Sequence, residues 1–203
     1  AALRAAFEQA CRQQVYGAWR PMTIRHPLHD EADIRTCIGI LEACEFVPRF
    51  SEYFERSEAV GENGFVVPML NRSPFQCLLL DGLGETSLFY ALHDNPHLVE
   101  SLLSAFEAVN HIILQNVADL DVSYVEFCEN LDAAMTNPRL FAKYVLPSYQ
   151  AYAQILHGQG KRLGAHLDGN LAGLEALIAE SGIDVCESFT PAPQTGLPFA
   201  DAW

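Results

Sequence analysis

The chain lacks any run of 18 or more apolar residues, the length a membrane-crossing helix needs. It is also poor in positive charge: 12 Lys and Arg stand against 26 Asp and Glu, for a formal net charge of −14. So acidic a surface repels phosphate backbones, and no basic patch with interleaved aromatics interrupts it, so nucleic acid is not an expected partner. None of the six cysteines, Cys11, Cys37, Cys44, Cys77, Cys128 and Cys186, forms a C-x-x-C pair. Scattered through apolar segments, they are expected as reduced thiols of a cytoplasmic protein, mostly in the core, and not as a disulfide frame. Internal repeats and low-complexity segments are absent. The opening "AALRAAFEQACRQQ" is charged and has no signal-type apolar region with a cleavage site.

What the chain does have is an ordinary folding composition: 203 residues, 50% of them hydrophobic. A domain of that length buries roughly 70% of its unfolded surface. Residues 2–14 are expected to be helical, residues 16–34 irregular with two prolines and a glycine, "HDEADIRTCIGILEA" a helix with an acidic first turn, and 46–58 a further helix. "GFVVPML" (64–70) is expected as a strand, although Pro68 removes a ladder donor. The stretch after Ser73 is helical with a glycine break at 82–84. Asn95-Pro96 caps and opens a helix over 96–118, whose apolar residues recur at three-and-four spacing. "DVSYVEFCE" (121–129) follows as a strand, then a long helix from Asn137-Pro138 that Pro147 should kink or split and Gly158 and Gly160 should close. A strand over 162–167, a helix over 171–181 and a strand over 184–189 complete the series.

Strands separated by helices of a dozen residues imply parallel βαβ units. The fold class is therefore α/β: either a doubly wound open sheet or a (β/α)8 barrel, of which four strands are only part. In both, functional groups gather at the C-terminal ends of the strands. Three strands end in polar residues there. His166 and Asp168, two apart, share a side; Glu126 and Cys128 likewise, with Tyr124 behind them; Glu187 ends the last strand. An acidic residue inside the apolar "YVEFCE" is expensive unless it is paired or bound. Blander roles compete with this one. Asp168-Gly169-Asn170 has turn chemistry and could cap the helix that follows, His166 could be a satisfied core histidine, and Cys128 and Cys186 could simply be buried.

The segments "SPFQCLLLDGLGETSLFYALHDNPHLVESLL" and "YVEFCENLDAAMTNPRLFAKYVLPSYQAYAQILHGQGKRLGAHLDGNLAGLEALIAESGIDVCESFTPAP" carry an ordered pattern: D-N-P, an acidic loop, NP-x-LF…VLP-x-Y, H-x-x-GK, H-x-D-G-N and E-x-GID. This series, over roughly residues 64–203, resembles the uroporphyrinogen decarboxylase superfamily, on the side of its corrinoid-linked and coenzyme M methyltransferases. The resemblance implies a TIM-type barrel, here one domain with a helical part over 1–63 and successive βα units over 64–203, incomplete at one or both ends. It implies a pocket at the strand C-termini, a small-molecule substrate, a corrinoid partner protein and Zn²⁺; a homodimer is a possible assembly. In the zinc methyltransferases an H-x-C-G motif supplies histidine and cysteine ligands and a later cysteine a third. By position His166 matches the histidine, Asp168 stands where the cysteine would be, and the later cysteine would fall beyond Trp203. A carboxylate in place of a thiolate moves the site toward harder coordination.

The leading expectation is thus a methyltransferase-like enzyme that moves a methyl group between a small molecule and a corrinoid protein or thiol. His166, Asp168 and Cys128 are its candidate metal ligands; Glu126, Asp168 and Glu187 are its candidate catalytic carboxylates. Two alternatives stand beside it. One is a metal-free decarboxylase working by carboxylate acid and base, although the arginine-rich signature of uroporphyrinogen decarboxylase itself is not visible. The other is a non-catalytic, degenerate barrel.

Overall fold

The computed structural model of the chain describes residues 14–15, 18–19 and 25–202. They fall into two compact units, one formed by the residues up to Cys44 with Phe75–Phe106, the other by Glu45–Pro74 with Glu107–Trp203.

In the first unit, strands β1 (Gln14–Val15) and β2 (Ala18–Trp19) pair antiparallel. Most of the helix expected over 2–14 lies outside the described residues, and its last position is strand. The helix Glu31–Ala43 starts where Asp30 accepts from the Asp33 amide at 2.9 Å, and it buries Ile34 and Cys37. The helix Pro74–Cys77 widens into a π turn over Leu78–Gly82. It stops at Gly84, whose φ of 76° lies in the left-handed region that glycine tolerates best. The helix Glu85–Asp94 follows, then Pro96–Ala118, which has the expected bounds and whose residues from Glu107 belong to the second unit; Asn95 Oδ1 accepts from the Leu98 amide at 3.4 Å.

The second unit holds four parallel strands in the order β3 (Met69–Leu70), β4 (Tyr124–Phe127), β5 (Arg162–His166) and β6 (Val185–Glu187). Each strand lies beside its predecessor, with no reversal of winding among the described strands. That is the order found around an α/β barrel, so the structure is consistent with part of one. All four strands are shorter than their apolar runs. The run 64–70 is strand only at Met69–Leu70, because Pro68 can contribute only its carbonyl, which accepts from the Glu126 amide at 3.0 Å. Two helices also start late. The one expected from 46 begins at Ser51, since Val47 precedes Pro48 and is pushed from helical backbone. The one expected from 171 is Glu175–Glu180, delayed by a turn in which Gly173 has φ 89°.

Pro147 splits its helix as its chemistry requires. Pro138–Leu140 passes through a π turn at Phe141–Val145, and Leu146–Gly158 resumes the α form. Proline has no amide hydrogen and its ring crowds the carbonyl four residues back. The resumed helix buries Tyr149, Tyr152 and Leu156 completely. Phe127 stacks on Tyr152 with centroids 4.7 Å apart and meets Tyr149 edge-on at 5.9 Å, contacts worth about 0.5–1.5 kcal/mol each beyond burial. On β4, Val125 and Phe127 are buried against the helical layer, and on β5 Leu163 and Ala165 are. The alternate residues Tyr124, Glu126, Gly164 and His166 therefore share the opposite face.

Parallel register brings Tyr124 beside Arg162 and Glu126 beside Gly164. A Cβ on Gly164 would run into the Tyr124 ring. At the other end of β5, Asp184 accepts from the Leu163 amide (2.9 Å), from Arg162 (2.8 Å) and from His157 Nε2 (2.8 Å). Burial pushes this carboxyl's pKa up, but those donors outweigh it and hold it below the usual range.

Gly164→Ala is expected to cost about 1–3 kcal/mol by overpacking, whereas Gly158→Ala, with nothing within 4 Å of the added Cβ, should stabilise by about 0.4–1 kcal/mol. Urea unfolding of the two variants checks the contrast. Asp184→Asn should destabilise by about 1–3 kcal/mol at neutral pH. Because the folded-state pKa of Asp184 is lowered, its contribution is present above the unfolded carboxylate value and fades as pH falls through the folded one. The wild-type advantage over the variant should therefore shrink in acid, as read by midpoints measured across pH.

Candidate active site

Glu126 enters the site by strand alternation, which turns it away from the helical layer, and it is only 4% exposed. Its Oε2 accepts from the Tyr124 hydroxyl at 2.8 Å, while its Oε1 is buried without a hydrogen-bond partner. Burial first, then the bond to Glu126, pushes the Tyr124 hydroxyl well above its ordinary pKa, so it stays a donor at neutral pH. Gly164 leaves the space that the Tyr124 ring fills.

His166 closes β5 and pairs in register with Glu187 at the end of β6. Its Nδ1 contacts Glu187 Oε2, and its Nε2 lies 3.5 Å from Asp168 Oδ2. Glu187 Oε1 also accepts from Ser188 Oγ at 2.8 Å. One ligating atom from each of Glu126, His166 and Glu187 lies within 4.8 Å of the other two. Two ligands about 2.0–2.2 Å from one ion sit at most ~4.4 Å apart, so small side-chain rotations would close this group round a cation. The donors are one imidazole and two carboxylates, with Asp168 on the second ring nitrogen. Their negative charge and the unpartnered Glu126 oxygen fit a divalent ion.

Partial burial works against a charged His166, but the Glu187 bond and the Asp168 charge prevail and raise its pKa. Glu187 is correspondingly lowered, by its Ser188 bond and by His166, against a smaller effect of burial.

The remaining expected residues are placed as follows. Cys128 is outside the three-residue group; its Sγ lies 3.7 Å from Asn130 Oδ1. Cys186, for which burial was the alternative, is exposed, as is Cys44, while Cys37 and Cys77 are buried. Asp168 does not cap a helix through its described contacts: Asn130 and His166 take its two oxygens. The turn role falls instead to Asn170, whose Oδ1 accepts from the Ala172 amide at 3.2 Å. Gly169 is required by close approach, since a Cβ there would strike the Leu131 carbonyl.

Three neighbours carry no periodic signal and escaped sequence reasoning. Glu129 is fully buried and accepts from the Ser73 amide (2.8 Å), the Ser73 hydroxyl and the Tyr149 hydroxyl (2.9 Å). Burial raises its pKa against the pull of these donors. Asn130 and Arg72 join it just beyond the strand ends. The asparagine that follows Glu129 just past the end of β4 was the available clue.

No protein-family model matches this chain, and no curated protein does. Among solved structures, a methyltransferase from Methanosarcina mazei superposes with a TM-score of 0.56 at 15% identity, over 87% of this chain and 52% of that one. The likeness is one of fold. This chain spans about half the length of that structure.

Glu187→Gln is expected to lower the His166 pKa, because it removes the anion that outweighs partial burial. Ring proton shifts followed through a pH titration give the value. A midpoint equal to wild type would show that the pair does not form in solution.

Proposed function

We propose that this chain acts as a methyltransferase-like enzyme of the uroporphyrinogen decarboxylase type, built on a (β/α)8 plan. It moves a methyl group between a small molecule and a corrinoid protein or a thiol. The reading rests above all on Glu126, which is buried with its Oε1 unpartnered and is grouped with His166 and Glu187 at the ends of adjacent parallel strands. Burying a carboxylate oxygen with nothing to bind costs roughly 1–3 kcal/mol or more, and a cation offsets that cost. The fold shared with a methyltransferase and the ordered sequence pattern support the same reading.

Glu126, His166 and Glu187 would hold the ion, with Zn²⁺ the first candidate for a mixed nitrogen and oxygen set. When bound, it would supply Lewis-acid stabilisation of a thiolate or other leaving or accepting group. The protein's own side chains do the rest. Tyr124 holds Glu126 by Oε2 and leaves Oε1 without a partner. Glu187 and Asp168 bracket the imidazole and set its plane. Three carboxylates carry −3 between them, which a divalent ion reduces to −1 with neutral His166, leaving a site that favours a neutral or cationic methyl-bearing substrate over a polyanionic one.

Elemental analysis of protein purified without chelators should find one divalent ion per chain, with His166→Ala and Glu126→Gln each losing it. Transfer of a methyl group from a methylated corrinoid to a thiol should fall at least 100-fold in both variants. Wild-type protein that neither carries nor takes up Zn²⁺ at micromolar concentration would refute the metal reading.

A further inference from the structure

Building on that reading, we infer that Asn130 is a positioning residue: backed by Arg72, it fixes the Asp168 carboxylate beside Nε2 of His166 and so holds the orientation of the ring. Its backbone conformation and three hydrogen bonds place it. Its backbone lies in the left-handed region, φ 51°, which few residues other than glycine adopt and which asparagine tolerates better than most. In that conformation its amide donates to the His166 carbonyl at 2.8 Å, which ties the β4 loop to the end of β5. The Arg72 guanidinium donates to its Oδ1 at 2.8 Å, and its Nδ2 donates to Asp168 Oδ1 at 3.1 Å.

Chemistry settles which way the amide points. Arginine has no acceptor and an ionised carboxylate has no donor, so only one orientation satisfies both neighbours. With Oδ1 of Asp168 held by Asn130, its Oδ2 is the oxygen left facing His166 Nε2, 3.5 Å away, while Nδ1 meets Glu187, so the ring is held between two carboxylates. A ligating histidine generally donates its other N–H to a carboxylate or carbonyl, and losing that partner lowers metal affinity about 10- to 100-fold. Asp168 therefore serves as the acceptor that orients the ring, and Asn130 with Arg72 orients Asp168.

The test uses the full chain, two single variants and their double variant. Asn130→Gly keeps the left-handed backbone and the main-chain bond to His166 but removes the amide. Asp168→Asn keeps the shape and removes the charged acceptor. Zn²⁺ affinity is measured by competition with a chromophoric chelator, and ring ¹⁵N shifts of His166 are measured in metal-free protein. Each variant should bind Zn²⁺ about 10- to 100-fold more weakly while its urea midpoint stays near wild type, and the double variant should bind no more weakly than the worse single one, since both cut one chain of contacts. The ¹⁵N signals should move for both variants. Wild-type affinity in the variants, strictly additive losses, or unmoved ring signals would each overturn the inference. If wild type itself takes up no Zn²⁺, the metal reading fails, and the ring signals of Asn130→Gly still decide whether Asn130 orients the ring. Should Asn130→Gly not fold, Asp168→Asn decides through the same two measurements.

Discussion

The second unit is organised around one costly group, the carboxylate of Glu126. Taking an ionised carboxylate out of water costs several kcal/mol unless hydrogen bonds or a counter-charge compensate. Here one oxygen is compensated by Tyr124, and Tyr124 can reach it only because Gly164 on the neighbouring strand has no side chain. The parallel register of β4 and β5 sets Glu126 opposite that glycine, and the same register advances the imidazole of His166 toward the strand ends. Strand pairing, a missing side chain and a buried acid are thus parts of one constraint.

Around the acid the molecule arranges two further layers. Beyond the end of β4, Glu129 turns into the interior to meet Ser73 and Tyr149, while the next residue, Asn130, turns back toward Asp168. The reversal is achieved by the left-handed backbone at Asn130. Consecutive residues thereby serve opposite sides of the sheet end: one closes the core under the aromatic layer of Phe127, Tyr149 and Tyr152, the other faces the site. The loop after β4 and the loop after β5 are joined as well, through Asp132 to the Asn170 amide at 3.1 Å and Ala133 to the Asn170 carbonyl at 2.7 Å. Groups held from two joined loops lose little further freedom on gripping a ligand, which is the advantage of preorganisation.

Much of the element order was legible, and for local reasons. The helix Pro96–Ala118 announces itself by an asparagine cap, a first-turn proline and unbroken three-and-four periodicity. Pro147 interrupts its helix because the missing amide hydrogen is a property of that residue alone. Strand lengths were over-read, since an apolar run says that residues are buried and not that they are paired: Val122, in the run before β4, is buried outside the ladder. Within the site, Glu126, His166, Asp168 and Glu187 were legible because period-two alternation and position at a strand end do not depend on the rest of the fold. Cys128 shows the limit of that reasoning. It has the phase of Glu126, yet it lies beyond the last paired residue, where alternation no longer sets direction, and its sulfur meets Asn130.

By itself, then, the sequence determined the alternation of strands and helices, the points where prolines and glycines break them, and the presence of an acid and a histidine at the ends of separate strands. All of these follow from backbone stereochemistry and short-range periodicity. Only the tertiary structure decided that the strands lie in sequential order, that Gly164 exists to admit Tyr124, that Glu126 keeps one oxygen unpartnered, and that Arg72, Asn130 and Asp168 form a line of contacts reaching the imidazole. Those are relations between residues 38 to 58 positions apart and between neighbouring strands. They depend on register and on desolvation, which no local pattern in the chain encodes.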